Sequence, residues 1–207
     1  MSLLLRSRMK FPTQTLERKL FHDGYSSVIG VDEVGMGCLA GPVVVCAVAV
    51  SPGTPNIAGI RDSKLLSPQQ RETLAHTLKQ SGIRFQISLC YPKVIDRINI
   101  YQAARKAMRR AVDKLGGDIV LVDGPHAIAG LNLPQRAIVK GDQKVFAIAC
   151  ASILAKVHRD RMMMRYAKRF PEYGFERHKG YGTKLHHAAL AAHGPCELHR
   201  KSFTIAI

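Results

Sequence analysis

The sequence predicts an α/β protein: a mixed five-stranded sheet flanked by helices, followed by a C-terminal helical extension. Five short runs, at 28–31, 42–50, 84–90, 119–122 and 136–139, have the length and residue content of strands. Segments of helical period with recognisable starts and stops lie among them. The early strand-like runs come in succession and the later ones alternate with helices, which describes a mixed rather than a purely parallel sheet.

Taken in order, residues 28–31 and 42–50 are valine-rich and are joined by a glycine-rich turn from Gly35 to Gly41. Pro and Gly within 51–56 end the second run. Ser67-Pro68-Gln69-Gln70 starts a helix: the serine caps, the proline suits the first turn and Gln70 completes a capping box. Gly82 stops it, and 84–90 alternates as a third strand. A second helix runs over about 98–115 and is closed by Gly116-Gly117. Its pairs Arg105/Arg109 and Lys106/Arg110 form a basic stripe, which fits a solvated face as well as a phosphate-facing one. The strands 119–122 and 136–139 follow. After Asp142 a long helix begins near Val145, with Val145, Ile148, Ala149, Ser152, Ile153 and Lys156 or Val157 on its inner face. Pro171 ends that region, and a last helix fits 183–192, with Thr183 as cap and Gly194 as stop. The expected organisation is a catalytic part over 1–170 and an extension of the same domain over 171–207.

Composition excludes several classes. No apolar run is long enough to span a bilayer, and the opening MSLLLRSRMK has too few leucines for a secretory core, so the expected location is the cytoplasm. Five scattered cysteines without C-x-x-C spacing predict reduced thiols, not a disulfide framework. His193, Cys196 and His199 lie close in sequence but fall short of the four ligands of structural zinc. Lys and Arg number 31 against 15 acids, a formal charge of +16. That excess points to nucleic acid; a membrane surface would need an amphipathic basic helix or a lipidation signal. With neither a Walker A sequence nor G-x-S-x-G, no nucleotide cofactor and no serine nucleophile are expected. From residue 156 onward 11 Lys and Arg face 4 acids, so catalytic carboxylates must lie mostly upstream of a basic arm.

The chemistry concentrates at element ends. Asp32-Glu33 follows the first apolar run, Asp123-Gly124 follows 119–122, and Asp142 precedes the long helix. Taken singly, Asp123 reads as the start of a D-G turn and Asp142 as a helix cap. Adjacent acids leaving a buried strand are harder to dismiss, because they repel each other without a cation and burial is costly. If their strands are neighbours, these acids converge. Hard oxygen ligands favour Mg²⁺ or Mn²⁺ over zinc, and two such ions about 4 Å apart clamp an in-line phosphoryl displacement.

The segments VDEVGMGCLAGPVV, RDSKLLS, INIYQAARKAMRRAV, LVDG, VKGDQKVFAIACASILAKVHRDRMM, YGFERHKGYGT and HRKSF together resemble bacterial ribonuclease HII, from about Val28 to Phe203. The resemblance implies a ribonuclease H-like fold and endonucleolytic cleavage of RNA in RNA–DNA hybrids, single ribonucleotides embedded in duplex DNA included. Products would carry 3′-hydroxyl and 5′-phosphate ends. It assigns metal binding to Asp32, Glu33, Asp123 and Asp142, the same four acids, with two Mn²⁺ or Mg²⁺ ions as cofactors. It assigns recognition of the ribose 2′-hydroxyl to backbone groups of the turn Gly35, Met36, Gly37, a sugar-packing role to Tyr181 beside Lys179, and a phosphate contact to Lys64. A monomer without membrane attachment is expected.

Met36 stands where the family usually has arginine between the two glycines. Either the thioether weakens selectivity for the RNA–DNA junction, or the backbone amides do the reading and the side chain is incidental. Ala147, His158 and Gln143 also depart from the usual residues without removing an expected ligand. The related ribonuclease HIII carries an extra N-terminal substrate-binding domain, and the D-E pair at residue 32 leaves no room for it. The competing readings are a hybrid-binding protein that has lost turnover and a structure-specific DNA nuclease on the same fold.

Overall fold

The computed structural model describes residues 11–203; the leader reading of residues 1–10 and the end of the expected extension, 204–207, lie outside the described residues. Five strands form one sheet in the order β3-β2-β1-β4-β5. They are β1 (Val28–Val34), β2 (Val43–Val50), β3 (Arg84–Cys90), β4 (Ile119–Asp123) and β5 (Gln135–Ile138). β1 pairs antiparallel with β2, and β2 with β3, whereas β4 runs parallel to both β1 and β5. The sheet is therefore mixed, as the order of strands and helices predicts.

β2 is buried along its whole length, which explains its unbroken apolar sequence. Its alternate residues Val44, Cys46 and Val48 join a core with α2 (Pro68–Gln80) and α5 (Phe146–Arg169), while Val43, Val45 and Ala47 pack against α4 (Ile100–Leu115) on the other face. Where α5 crosses β1 the fit is extreme: a Cβ on Gly30 would lie 2.3 Å from the carbonyl carbon of Ala147. Glycine lets the helix start press directly on the central strand.

Several elements differ from the sequence expectation. β1 runs on through Val34, so Asp32 and Glu33 sit within the strand rather than after it. The helix expected over 98–115 is α4, and a short helix that the sequence reading lacks, α3 (Pro92–Ile98), precedes it, the two separated at Asn99, whose φ of 63° no α-helix allows. Asn99 restarts the helix by accepting a hydrogen bond from the Gln102 amide at 3.0 Å. β5 begins one residue earlier than expected, since its partly exposed QRAI carries little apolar signal. Asp142 does not cap α5; it lies in a single 3₁₀ turn, Gly141–Gln143.

The cap of α5 comes from elsewhere. Its N-cap residue Val145 has no side chain to offer. Instead Glu17 of α1 (Thr15–His22), an element with no strong start or stop signal, is fully buried and accepts the Ala147 amide at 2.9 Å. Burial raises the pKa of Glu17.

Beyond α5 the chain forms α6 (Phe175–His178) and α7 (Lys184–His193), with Thr183 accepting the His186 amide as the expected cap. Tyr173, Phe175, Leu190 and Leu198 pack with Leu39, Ala40 and Met163 into a third apolar cluster, so this segment closes on the β1–β2 turn. Within it three buried histidines are joined. His178 bonds through Nε2 to Tyr173 O (2.7 Å) and accepts the Gly180 amide on Nδ1 (3.1 Å). His186 Nδ1 meets Tyr181 O at 2.9 Å, and its Nε2 meets His199 Nε2 at 3.0 Å. His199 in turn accepts the Cys196 amide on Nδ1 at 2.9 Å. No helix among the described residues is long and apolar enough to cross a membrane.

Removing the borrowed cap leaves the buried Ala147 amide at the start of α5 unsatisfied, so Glu17→Ala should cost about 2 kcal/mol and lower Tm by roughly 4–8 °C. Glu17→Gln keeps an acceptor oxygen and should lose less than half as much by scanning calorimetry. Equal losses would show that the hydrogen bond to α5 is not what Glu17 contributes.

Candidate active site

The parallel register of β1 and β4 pairs Val31 with Val122, which sets Asp32 beside Asp123 at the carboxyl ends of adjacent strands. β4 stops there, and Gly124, at φ 95°, turns the chain away. Asp123 Oδ1 accepts the Gly141 amide at 2.7 Å, which draws the 3₁₀ turn bearing Asp142 to the same place. A Cβ on Gly141 would stand 3.2 Å from that oxygen and 2.6 Å from Ile148, so the approach needs glycine. Asp32 Oδ1 accepts the Glu33 amide at 2.7 Å, and Ser152 of α5, which shares a hydrogen bond with Ser63 at 3.0 Å, acts to lower the Asp32 pKa. Four carboxylates from three separated segments thereby share one end of the sheet.

Their electrostatics agree. Asp32 and Asp142 are 6% and 5% exposed. Burial and then the charges of Glu33 and Asp123 push the Asp32 carboxyl well above its ordinary range. Burial, followed by Asp123, pushes Glu33 up to about 7, against a lowering effect of Lys64. Asp142 is raised by burial, by Asp123 and by Asp62. Among the described residues none of the four forms an ion pair with a lysine, arginine or histidine. Nor do three of them stand as a closed metal cage, since among the described residues no group of three or more His, Cys, Asp and Glu is so arranged. Two oxygens are turned instead onto the amides of Glu33 and Gly141. The donor set is all hard oxygen and lacks a cation of its own, which suits Mg²⁺ or Mn²⁺.

Of the other expected residues, Lys64 lies near Glu33 and Asp142. Lys64 is exposed in a 3₁₀ turn, Ser63–Leu65, held by the Asp62 carboxylate on the Lys64 amide at 2.9 Å. The Gly35–Gly37 turn adjoins the 179–182 loop: Cys38 bridges Tyr181, and the Leu39 amide donates to Gly180 O at 2.9 Å. Tyr181 is 39% exposed, with Lys156 Nζ and the Arg159 guanidinium 5.7 and 5.8 Å from its ring centre. Lys179 is half-buried at φ 52°. Beside Glu33 and Asp123 a groove of about 130 Å³ is lined by Met36, Tyr101, Arg105, Met108 and His126. The basic stripe on α4 divides accordingly. Arg105 faces this groove, Arg109 pairs with Asp113 and Arg110 holds Leu89 O.

Residues not singled out in the sequence also matter. Asp62 is a further buried acid next to Asp142, and it accepts Gln143 Nε2 at 3.2 Å. Arg159 and Arg200 are wholly buried. The i, i+3/i+4 face drawn through Ser152 and Lys156 reaches Arg159 when extended one turn, so that residue had a signal; Arg200, in an irregular segment, had none.

The family model described as Ribonuclease HII matches residues 29–206. The chain belongs to the ribonuclease HII family. It is 49% identical over 190 residues to the ribonuclease HII of Caldicellulosiruptor saccharolyticus, covering 91% of this chain and 92% of that protein. Among solved structures it is similar to the ribonuclease HII in a complex with PCNA from Archaeoglobus fulgidus, with TM-score 0.73, 27% identity, and coverage of 87% of this chain and 96% of that one. It is similar also to ribonuclease H2 from Pyrococcus horikoshii OT3, with TM-score 0.71, 26% identity, and coverage of 87% and 95%. The chain is accordingly an endoribonuclease of the ribonuclease H type, on the α/β fold expected.

With Glu33 raised to about 7, a cation binding among these acids would have to expel a proton below that pH. Mn²⁺ titrated at pH 6 should therefore release protons, affinity should fall as pH drops through about 7, and the release should fade above that pH. Calorimetry in two buffers of different ionisation enthalpy measures this. Binding at pH 6 without proton release would contradict the raised carboxyls.

Proposed function

We propose that Asp32, Glu33, Asp123 and Asp142 hold two divalent ions, Mn²⁺ or Mg²⁺, and hydrolyse the RNA strand of RNA–DNA hybrids, nicking also 5′ of single ribonucleotides embedded in duplex DNA. The observation that carries this reading is the meeting of four carboxylates, three of them with raised pKa and, among the described residues, none in an ion pair, at the end of β1 and β4. When bound, the two ions supply an activated water and a counter-charge for the departing oxygen, leaving 3′-hydroxyl and 5′-phosphate ends. The four side chains orient the site. Asp123 ties it to the turn of Asp142, and the Glu33 amide holds an oxygen of Asp32. Lys64, free in solvent beside Glu33 and Asp142, neutralises a substrate phosphate.

Backbone groups of Gly35, Met36 and Gly37 read the 2′-hydroxyl, while Tyr181 and Lys179 present a ring and a charge to the following sugar and phosphate. Segment 171–207 serves as a substrate-binding extension of the catalytic domain 1–170, a role supported by its packing on Leu39 and Ala40. The enzyme works as a cytoplasmic monomer, and its formal charge of +16 supports binding to nucleic acid.

A DNA duplex containing one ribonucleotide, incubated with Mg²⁺ or Mn²⁺ and resolved on a denaturing gel, should be nicked at a single bond. Asp123→Asn should reduce kcat by at least about a thousandfold, while Tm stays equal or rises because carboxylate repulsion is relieved. Retained cleavage by Asp123→Asn would remove that residue from the metal site, and cleavage of the all-DNA duplex would remove the substrate assignment.

A further inference from the structure

Arg159 and Arg200 are the largest fully buried side chains of the protein, each 0% exposed, and among the described residues neither forms an ion pair. An uncompensated buried charge is costly unless its donors are all occupied. Here they are spent on backbone carbonyls. Arg159 donates from Nε to Pro42 O (3.0 Å), from Nη1 to Lys179 O (2.8 Å) and from Nη2 to Ala40 O (3.0 Å). Arg200 donates from Nε to Gly41 O (3.1 Å), from Nη1 to Met36 O (2.8 Å) and from Nη2 to Gly35 O (2.6 Å) and Gly41 O (3.0 Å). Every carbonyl so held belongs to the 35–42 turn or to the loop bearing Tyr181.

The consequence follows from peptide planarity. In a trans peptide the C=O of one residue and the N–H of the next point in opposite directions. Drawing the carbonyls of Gly35 and Met36 inward onto Arg200 therefore turns the amides of Met36 and Gly37 away from the guanidinium. Those two amides have no hydrogen-bond partner among the described residues, and Gly37 is exposed. The glycines answer the arginines. A Cβ on Gly35, at φ 94°, would lie 2.4 Å from Arg159 Nε, and one on Gly180 would lie 2.4 Å from Ala40 O. Met36, by contrast, lends only its carbonyl to this framework, and its side chain packs against the apolar cluster that α4 builds. Residue 36 can change without altering what Arg200 grips.

We propose that Arg159 and Arg200 are the positioning residues that set discrimination between ribose and deoxyribose, by clamping the 35–42 turn to the 179–181 loop so that the amides of Met36 and Gly37 face the substrate. The side chain at position 36 is secondary to them. This rests on the reading of the 35–37 turn given under the proposed function. Lysine keeps the charge of either arginine but offers a point donor in place of a planar fork, so it cannot span carbonyls on two segments.

The test is the ratio of dissociation constants for an all-DNA duplex and the same duplex with one ribonucleotide, measured by fluorescence anisotropy in EDTA. Arg200→Lys and Arg159→Lys should each lower this ratio by about tenfold, mainly through weaker binding of the ribonucleotide duplex, and should raise KM more than they lower kcat. Met36→Arg should shift the ratio less than either. An unchanged ratio in both lysine variants, or a larger shift in Met36→Arg, overturns the proposal. A wild-type ratio of one would instead overturn the underlying reading of the turn. Should the lysine variants fail to fold, hydrogen exchange on the wild type decides. The Met36 and Gly37 amides should exchange fast in the free protein and be protected by the ribonucleotide duplex but not by the all-DNA one. Equal protection by both duplexes overturns the assignment.

Discussion

Like charges set the terms for this molecule. Asp32, Glu33, Asp123 and Asp142 meet at the end of two central strands, where burial raises three of their pKa values and, among the described residues, none of them forms an ion pair. Such a cluster persists without a cation only by keeping protons and by turning oxygens onto backbone amides, and both occur. The fold tolerates the arrangement because β1 and β4 are fixed in register by a core on both faces, and because Gly30 and Gly141 let α5 and its preceding turn approach without obstruction. Stability is held elsewhere so that the acids can remain unsatisfied in the resting protein.

Opposite charge is managed in a different way a few residues downstream. Arg159 and Arg200 are buried without carboxylates, and their cost is offset by carbonyl dipoles of the 35–42 turn. Burial lowers the Arg200 pKa to about 10, so it remains charged at neutral pH. The result is a division of labour along one stretch of chain. Residues 32–33 offer negative charge to a cation, and residues 35–37, directly after them, present amides over a positive foundation. A phosphodiester lying across both would find its reactive oxygens near the acids and its sugar near the amides.

Much of this was legible in the sequence, for identifiable reasons. β2 was plain because burial on both faces enforces an apolar run, and α2 was plain because its capping box is a local code that the structure reproduces in full. The four acids stood out because charge at the edge of apolar strands is expensive enough to demand a reason. What escaped was set by tertiary contact. α1 owes part of its place to Glu17 reaching across the chain to cap α5, and the break at Asn99 lies inside a stretch whose apolar period continues past it. Arg200 sits in an irregular segment and acts on carbonyls far away in sequence, a relation that no local pattern encodes.

Anomalous diffraction from crystals grown with Mn²⁺ and a ribonucleotide-containing duplex tests the central claim most directly. Two peaks roughly 4 Å apart should appear among Asp32, Glu33, Asp123 and Asp142, with the Asp32 and Asp123 oxygens swung toward them. Manganese bound elsewhere, with Asp32 still turned onto the Glu33 amide and Asp123 onto Gly141, would contradict it.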